Sequence, residues 1–137
     1  MVAIIDAEGA VLGRLCTAVA KRLLKGEEIA VVNAEKAIVT GKKTMIKEHY
    51  KQEREVGTYR KGPFYPRMPH QIVKRTVRGM IPYQEPHGRA AFKKLKCYIG
   101  VPKEFIGQSF EKITTAQKHP ANYMTIQEIA QFLGAKV

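Results

Sequence analysis

The chain has 137 residues, 24 Lys+Arg against 12 Asp+Glu, a formal net charge of +12 and 45% hydrophobic residues. Such a chain suits a single domain over 1–137, buries roughly two-thirds of its unfolded surface, and is too apolar for a disordered tail. Its longest apolar run, Met1 to Ile5, is far short of the ~20 residues of a membrane span, and Asp6 and Glu8 behind it argue against a secretory signal. A cytoplasmic protein with an anionic partner and no membrane contact is expected.

Val2 to Ile5 reads as a short buried strand ending at Asp6. From Val11 to Lys25, the residues Leu12, Leu15, Cys16, Val19 and Leu23 recur at the spacing of one helix face, and Gly26 stops the helix. Ile29 to Val32 is a second strand, rich in β-branched residues. Strand, helix and strand with short links predict a parallel βαβ unit with a right-handed crossover. Ala37 to Val39 adds a short extended piece. Lys42 to Glu55 surrounds a narrow stripe of Met45, Ile46 and Tyr50 with charges of both signs, the pattern of a mostly exposed helix.

Near the end, Cys97 to Gly100 forms a further compact strand. Thr125 and Glu128 have the spacing of a capping box, in which the threonine oxygen accepts a backbone N–H and the glutamate reaches back. Ile126, Ile129, Phe132 and Leu133 then make the apolar face of a last helix, ended by Gly134. Strands interleaved with amphipathic helices give an α/β domain whose helices cover a mostly parallel sheet. Its core is drawn from both ends of the chain.

The charge is unevenly spread. Residues 1–57 carry ten basic and eight acidic side chains, and residues 97–137 carry four and three. Residues 58–96 carry ten basic ones, Arg60, Lys61, Arg67, Lys74, Arg75, Arg78, Arg89, Lys93, Lys94 and Lys96, opposed by Glu85 alone. Such a block repels itself unless a polyanion neutralises it. Gly57, Gly62, Pro63, Pro66 and Pro69 exclude a helix at the start of this stretch, leaving a loop long enough to be functional or disordered. Tyr59, Phe64 and Tyr65 offer rings on which unpaired bases stack, beside the cations Arg60, Lys61 and Arg67. Equally, Phe64 and Tyr65 can serve to pin the loop to the core.

From His70 to Met80 a helical projection sets Ile72, Val73, Thr76, Val77 and Met80 on one arc and Lys74, Arg75 and Arg78 on the other, with Pro82 as the stop. The same projection over Arg89 to Lys96 opposes Ala91, Phe92 and Leu95 to Arg89, Lys93, Lys94 and Lys96. Both helices are too short and too poor in Leu and Trp to lie on a membrane or fill a calmodulin-like groove. Five of the ten cations are arginine, whose planar group holds a phosphate in two parallel hydrogen bonds. No helix-turn-helix, zinc-finger or heptad pattern is present to read a DNA groove, so segment 57–96 is expected to face RNA recognised by shape.

Enzymatic leads are weak. Ala7 to Gly13 follows the first strand as a dinucleotide-binding turn would, but Ala7 and Leu12 stand at the outer glycine positions and Asn33, with Glu35 nearby, where a ribose-binding carboxylate belongs. Gly41-Lys42-Lys43-Thr44 fails the phosphate-loop pattern at Lys36 and Lys43. His49, His70, His87 and His119 are scattered, and Cys16 and Cys97 lie on apolar elements without a neighbouring base; two cysteines also cannot build a disulfide scaffold or close a zinc site. No catalytic residue, metal site, cofactor or small-molecule substrate is expected, with a nucleotide-dependent enzyme as the competing class.

Val77-Arg78-Gly79-Met80-Ile81-Pro82, then Gly88-Arg89, then Lys93-Lys94-Leu95-Lys96-Cys97-Tyr98-Ile99-Gly100 closely resembles the signature of the universal large-subunit ribosomal protein L-thirteen family. Ile5-Asp6-Ala7, Leu12-Gly13-Arg14-Leu15, Val19-Ala20-Lys21, Leu23-Leu24 and Val31-Val32-Asn33-Ala34 extend the resemblance over nearly the whole chain. Gly62-Pro63-Phe64 before Pro66-Arg67, and Gly100-Val101-Pro102, resemble the archaeal and eukaryotic form, and the short C-terminus favours the archaeal one. The His-Pro-His-rich stretch of bacterial members is missing, so their local contacts do not carry over.

The resemblance implies a three-layer α/β/α fold with a four-stranded, mainly parallel sheet. It implies a non-enzymatic protein of the large ribosomal subunit that binds large-subunit rRNA, sits among neighbouring ribosomal proteins and acts early in assembly. Family members are thought to bind RNA poorly alone, as expected if the Pro-rich loop orders only on binding. Arg75, Arg78, Arg89 and Lys93 would form the centre of the basic face, while Gly13 and Arg14 fit either tight packing or RNA contact. A regulator that uses the same surface on messenger RNA outside the ribosome is a third reading.

Overall fold

A computed structural model describes residues 2–137. The first strand, β1 (Val2–Asp6), leads into helix α1 (Leu12–Leu24) and returns as β2 (Glu28–Val32), paired parallel to β1 with Ile5 opposite Val31. The predicted βαβ unit is therefore present. Its helix buries Leu12, Leu15, Cys16, Val19, Ala20 and Leu23 and exposes the residues between, as the 3.6-residue spacing requires.

Beyond β2 come β3 (Ile38–Thr40), helix α2 (Lys43–Glu55), helix α3 (Pro69–Met80), helix α4 (Pro86–Lys93), β4 (Leu95–Cys97), β5 (Tyr123–Thr125) and helix α5 (Ile126–Phe132). Regular pairing among the described residues gives a three-stranded parallel sheet in the order β1-β2-β4 and a separate antiparallel pair, β3 with β5.

Helices α1 and α3 pack on one face of the parallel sheet, where Ile5, Ile29, Val31 and Leu95 meet Leu15, Val19, Ile72, Val73 and Val77 in one buried cluster. Strand alternation sends Ile4, Ala30 and Val32 to the opposite face, where they are equally buried. Tyr98 and Phe105 lie over that second face, their rings edge-on at 5.8 Å. At the C-terminal ends of β1 and β2 the buried Asp6 and Asn33 close the sheet: Asn33 donates from Nδ2 to Asp6 at 3.0 Å, and the Glu8 N–H donates to the same carboxylate oxygen at 3.0 Å.

Several boundaries differ from the sequence reading. The helix expected over Arg89 to Lys96 starts earlier, at Pro86, and ends at Lys93. Leu95 keeps helical spacing with Ala91 and Phe92, yet it is the inward residue of β4, which begins and ends sooner than the expected strand at Cys97 to Gly100. In α2, Ile46 and Tyr50 are buried as expected, but Met45 faces solvent. The Thr125 hydroxyl caps α5 by accepting the Glu128 N–H at 3.2 Å, while the Glu128 carboxylate turns to Lys43 at 3.8 Å instead of back to the cap.

Helix α4 can start where it does because Gly88 is a glycine. A Cβ there would stand 1.9 Å from the Pro82 carbonyl oxygen, so the helix touches the preceding turn backbone to backbone. Gly13 is different, since nothing lies within 4 Å of a Cβ at that position, and tight packing is not what makes it glycine. Gly88→Ala is expected to destabilise the protein by about 1–3 kcal/mol in urea denaturation, while Gly13→Ala costs nothing. Equal midpoints for Gly88→Ala and wild type would contradict the close approach.

Candidate nucleic-acid interface

Helix α3 is the element that organises the basic segment. Pro69 sits in its first turn, where a missing N–H is harmless, and Ile72, Val73 and Val77 anchor its inner face in the core. The outer face then carries Lys74, Arg75 and Arg78. Lys74 lies 5.3 Å over the ring of Phe92 from α4, and Arg78 lies 4.3 Å over the ring of Tyr83 in the intervening turn. Tyr83 and Phe92 meet edge-on at 5.4 Å, so two cations one helical turn apart are braced on one aromatic pair. Each such contact contributes about 0.5–1 kcal/mol at a partly exposed site and orders a side chain that otherwise moves freely. Arg75 between them is exposed. Arg89 reaches the same turn from α4, donating to the Gln84 carbonyl at 2.7 Å.

The loop between α2 and α3 is irregular, as expected. Thr58 and Gly62 exchange backbone hydrogen bonds of 3.2 and 2.9 Å, closing a tight turn that holds Arg60 and Lys61 at its tip. The three aromatic residues of this loop occupy different environments. Tyr65 is half-buried with its ring 6.0 Å from that of Tyr50, and its carbonyl accepts a hydrogen bond from Arg54 at 2.9 Å, so it pins the loop. Burial pushes its hydroxyl pKa up to about 12. Tyr59 is 84% exposed with the Arg60 guanidinium 5.5 Å over its ring, and Phe64 is 71% exposed. Ahead of Tyr65 the loop presents these two rings to solvent, and behind it Arg67 is exposed.

The ten cations do not form one continuous strip. Lys74, Arg75 and Arg78 line a cleft beside the loop, with Phe64 and Gln71 among its walls. Arg75 and Arg78 also border a larger open groove of about 1030 Å³ that runs past Gly13 and Gly79. Lys93, Lys94 and Lys96 instead line a groove at the edge of the sheet, beside Glu28 and Glu104. Lys96 follows the inward Leu95 on β4, so strand alternation turns it to the face opposite α3 rather than onto the α4 surface where a helical reading put it. Arg60, Lys61, Arg67, Arg75, Arg89, Lys93, Lys94 and Lys96 are exposed, while Lys74 and Arg78 are partly covered by their aromatic partners.

None of the ten pairs with a carboxylate among the described residues; the ion pairs there use Arg22, Lys43, Lys51, His87 and Lys112. Arg22 alone bridges two carboxylates, Glu27 and Glu111, each at 2.8 Å. Among the described residues outside this segment, four of fourteen Lys and Arg side chains are paired, Arg22, Lys43, Lys51 and Lys112, whereas within it none of the ten is.

The residues weighed above for a nucleotide-dependent enzyme are otherwise engaged. Gly9 takes a left-handed turn and donates its N–H to the Lys36 carbonyl at 3.1 Å, and Ala10 bridges to Gln117. Glu35 accepts the Gly100 N–H at 3.0 Å, and Asn33 is bound to Asp6. The groups at the strand ends, where an α/β sheet takes its ligand, are thus bonded to the chain itself. Both cysteines are free thiols. Burial raises each, Cys97 up to about 12 and Cys16 further, and Cys16 rises partly because Cys97 is its neighbour, so neither is a nucleophile at neutral pH.

A folded α/β scaffold that presents unpaired arginines and lysines beside exposed rings has the surface chemistry of a nucleic-acid-binding protein. The family described as Ribosomal protein L13 matches residues 1–104. Among relatives, the large ribosomal subunit protein uL13 of Methanosphaera stadtmanae is 50% identical, covering 99% of this chain and 99% of that protein. The protein of the same name from Archaeoglobus fulgidus is 48% identical over 96% of this chain and 86% of its own length, and that of Methanocaldococcus jannaschii is 47% identical over 97% and 98%. The chain belongs to the ribosomal protein L13 family, a family of structural proteins and not of enzymes.

His70, at the start of α3, is the titratable group most tied to this helix. Its Nδ1 is buried without a hydrogen-bond partner, and burial, then the charge of Lys74, lowers its pKa. The unfolded chain therefore binds this proton more readily, and stability falls as pH drops through the ordinary histidine range near 6.5. The urea midpoint is expected to fall between about pH 7.5 and about pH 5.5, and to fall less in His70→Gln. An identical pH dependence in the variant would contradict the assignment.

Proposed function

We propose that this protein is a structural constituent of the large ribosomal subunit in the cytoplasm, holding large-subunit rRNA on the surface built by α3, α4 and the proline-rich loop and joining the particle early in its assembly. Arg75, Arg78 and Arg89 form the centre of that surface, with Lys74 and Arg67 beside them and Arg60 and Lys61 at the loop tip. Tyr59 and Phe64 are the rings placed for base stacking. Lys93, Lys94 and Lys96 supply a second basic surface at the sheet edge.

One observation carries this reading. Ten cations lie within 39 residues, and none has an internal counterion among the described residues, although the same protein pairs Arg22 twice. Concentrated positive charge of this kind raises the free energy of the isolated protein and is relieved by a polyanion. Family membership and the names of the relatives point to the large ribosomal subunit as the particle. Early entry fits a core that is complete without RNA: α1, α3 and the sheet bury Leu15, Leu23, Ile29 and Ile72 fully. Neighbouring ribosomal proteins have apolar positions to meet at the exposed Ile99, Val101 and Ile106.

The family's four-stranded sheet has a natural fourth position here. Asp6 donates to the Glu111 carbonyl and Glu111 donates to the Ile4 carbonyl, both at 2.8 Å, which supports segment 110–112 as a minimal parallel strand outside β1. Helices on one face, and the segment that carries Tyr98 and Phe105 on the other, support a layered reading of the sheet, although that second cover is a largely irregular segment.

Charge reversal at Arg78 and Arg89 together leaves the core untouched. The double variant Arg78→Glu, Arg89→Glu is expected to fold and to lose more than about tenfold in incorporation into large subunits, measured by sedimentation and quantitative mass spectrometry. Normal incorporation would overturn the proposed surface. Gly79 lies on α3 with nothing within 4 Å of a Cβ, and it borders the larger groove. Gly79→Ala is expected to stabilise the isolated protein by up to about 1 kcal/mol yet to lower incorporation, because RNA seated in the groove approaches the glycine backbone. Unchanged incorporation would show that the groove stays open.

A further inference from the structure

We propose that the cleft between the proline-rich loop and the outer face of α3 is a pocket for a single unpaired nucleotide of RNA, with the base against Phe64 and the phosphate on the ridge of Arg75 and Arg78. The inference rests on the RNA-holding role above and adds to it a place and a ligand.

The cleft measures about 630 Å³, within the range of small-ligand sites. Its aromatic walls are not equivalent. One face of Tyr83 and one of Phe92 are already taken by Arg78 at 4.3 Å and Lys74 at 5.3 Å, and the two rings meet edge-on. Phe64 leans back over Gly62, where a Cβ would stand 3.0 Å from its ring, and leaves its other side open at 71% exposure. A free aromatic face in a basic cleft is what an unpaired base stacks on, and a paired base inside a helix has no face to offer.

Polar chemistry points the same way. Gln71 lines the cleft and carries both a donor and an acceptor, the pairing a base edge presents. Lys74 and Arg78 are held by their aromatic partners before any ligand arrives, so little side-chain freedom is lost on binding. No carboxylate lines this cleft. The larger groove beyond the arginine ridge contains Glu53 and Glu85, and the sheet-edge groove contains Glu28 and Glu104. A phosphate that settles on Arg75 and Arg78 therefore meets less repulsion on the Phe64 side, and the nucleotide is directed there.

The test uses large subunits that contain the full chain. Ultraviolet crosslinking of wild-type subunits is expected to give a nucleotide adduct on the peptide that carries Phe64 or the one that carries Tyr83. In Phe64→Ala subunits, one or two adjacent unpaired nucleotides should gain several-fold in reactivity toward base-modifying reagents. Phe64→Leu, which keeps bulk without an aromatic face, should show the same gain, and Phe64→Tyr should restore protection. Crosslinks from the cleft to a neighbouring protein, or unchanged rRNA reactivity in both Phe64→Ala and Phe64→Leu subunits, would overturn the pocket while leaving the basic surface standing. Absence of the wild-type chain from large subunits would instead overturn the role itself.

Discussion

The two-sided docking of α3 is the constraint on which the rest of this molecule depends. Ile72, Val73 and Val77 are buried to within about one percent, and that inner face fixes the direction in which Lys74, Arg75 and Arg78 must point. The opposite face is then stiffened through Phe92 and Tyr83, which belong to α4 and the turn before it. Burying three aliphatic side chains contributes several kcal/mol, at about 1.5–3 kcal/mol each, and that gain holds a cluster of like charges together. A cationic surface is thereby built as a by-product of core packing, and no carboxylate is spent on it.

The absence of internal counterions at the ten cations, among the described residues, has consequences for both states of the protein. Free in solution, the charges repel across the α3–loop surface, and the loop ahead of Tyr65 has little to hold it. Bound to a polyanion, the repulsion becomes attraction, and the braced side chains give up little entropy. Tyr65 divides the loop physically: its ring packs on Tyr50 and its carbonyl takes Arg54, whereas Tyr59 and Phe64 stand in solvent. The same sequence run thus supplies an anchor at Tyr65 and exposed rings at Tyr59 and Phe64, so of the two residues offered as pins for the loop, Tyr65 is the one packed against the core.

Much of the framework was legible in the sequence because its periodicities are strong. The spacing of Leu12, Leu15, Cys16, Val19 and Leu23 defines α1, and that of α3 sets Ile72, Val73 and Val77 inward and Lys74, Arg75 and Arg78 outward, although Met80, expected on the inner arc, is exposed. What periodicity could not show was the break between α4 and β4. Leu95 satisfies helical spacing and strand alternation alike, so a short helix followed at once by a short strand reads as one longer helix, and Lys96 is carried to the wrong face. Strand β5 spans three residues and gives no usable pattern. Tyr83 was equally hidden: nothing in Pro82-Tyr83-Gln84 signals that its ring will meet Arg78, because the contact depends on Gly88 letting α4 close against the Pro82 carbonyl.

On the proposed reading, the α3 surface with Arg75, Arg78 and Arg89 is where this protein meets nucleic acid. The most direct measurement is a cryo-electron microscopy map of the large subunit that contains this chain, at a resolution that separates side chains from phosphates. These three guanidinium groups are predicted to lie within hydrogen-bonding distance of rRNA phosphates. A map in which they face solvent or another protein, while the RNA is held by the sheet edge or by the ends of the chain, would contradict the account.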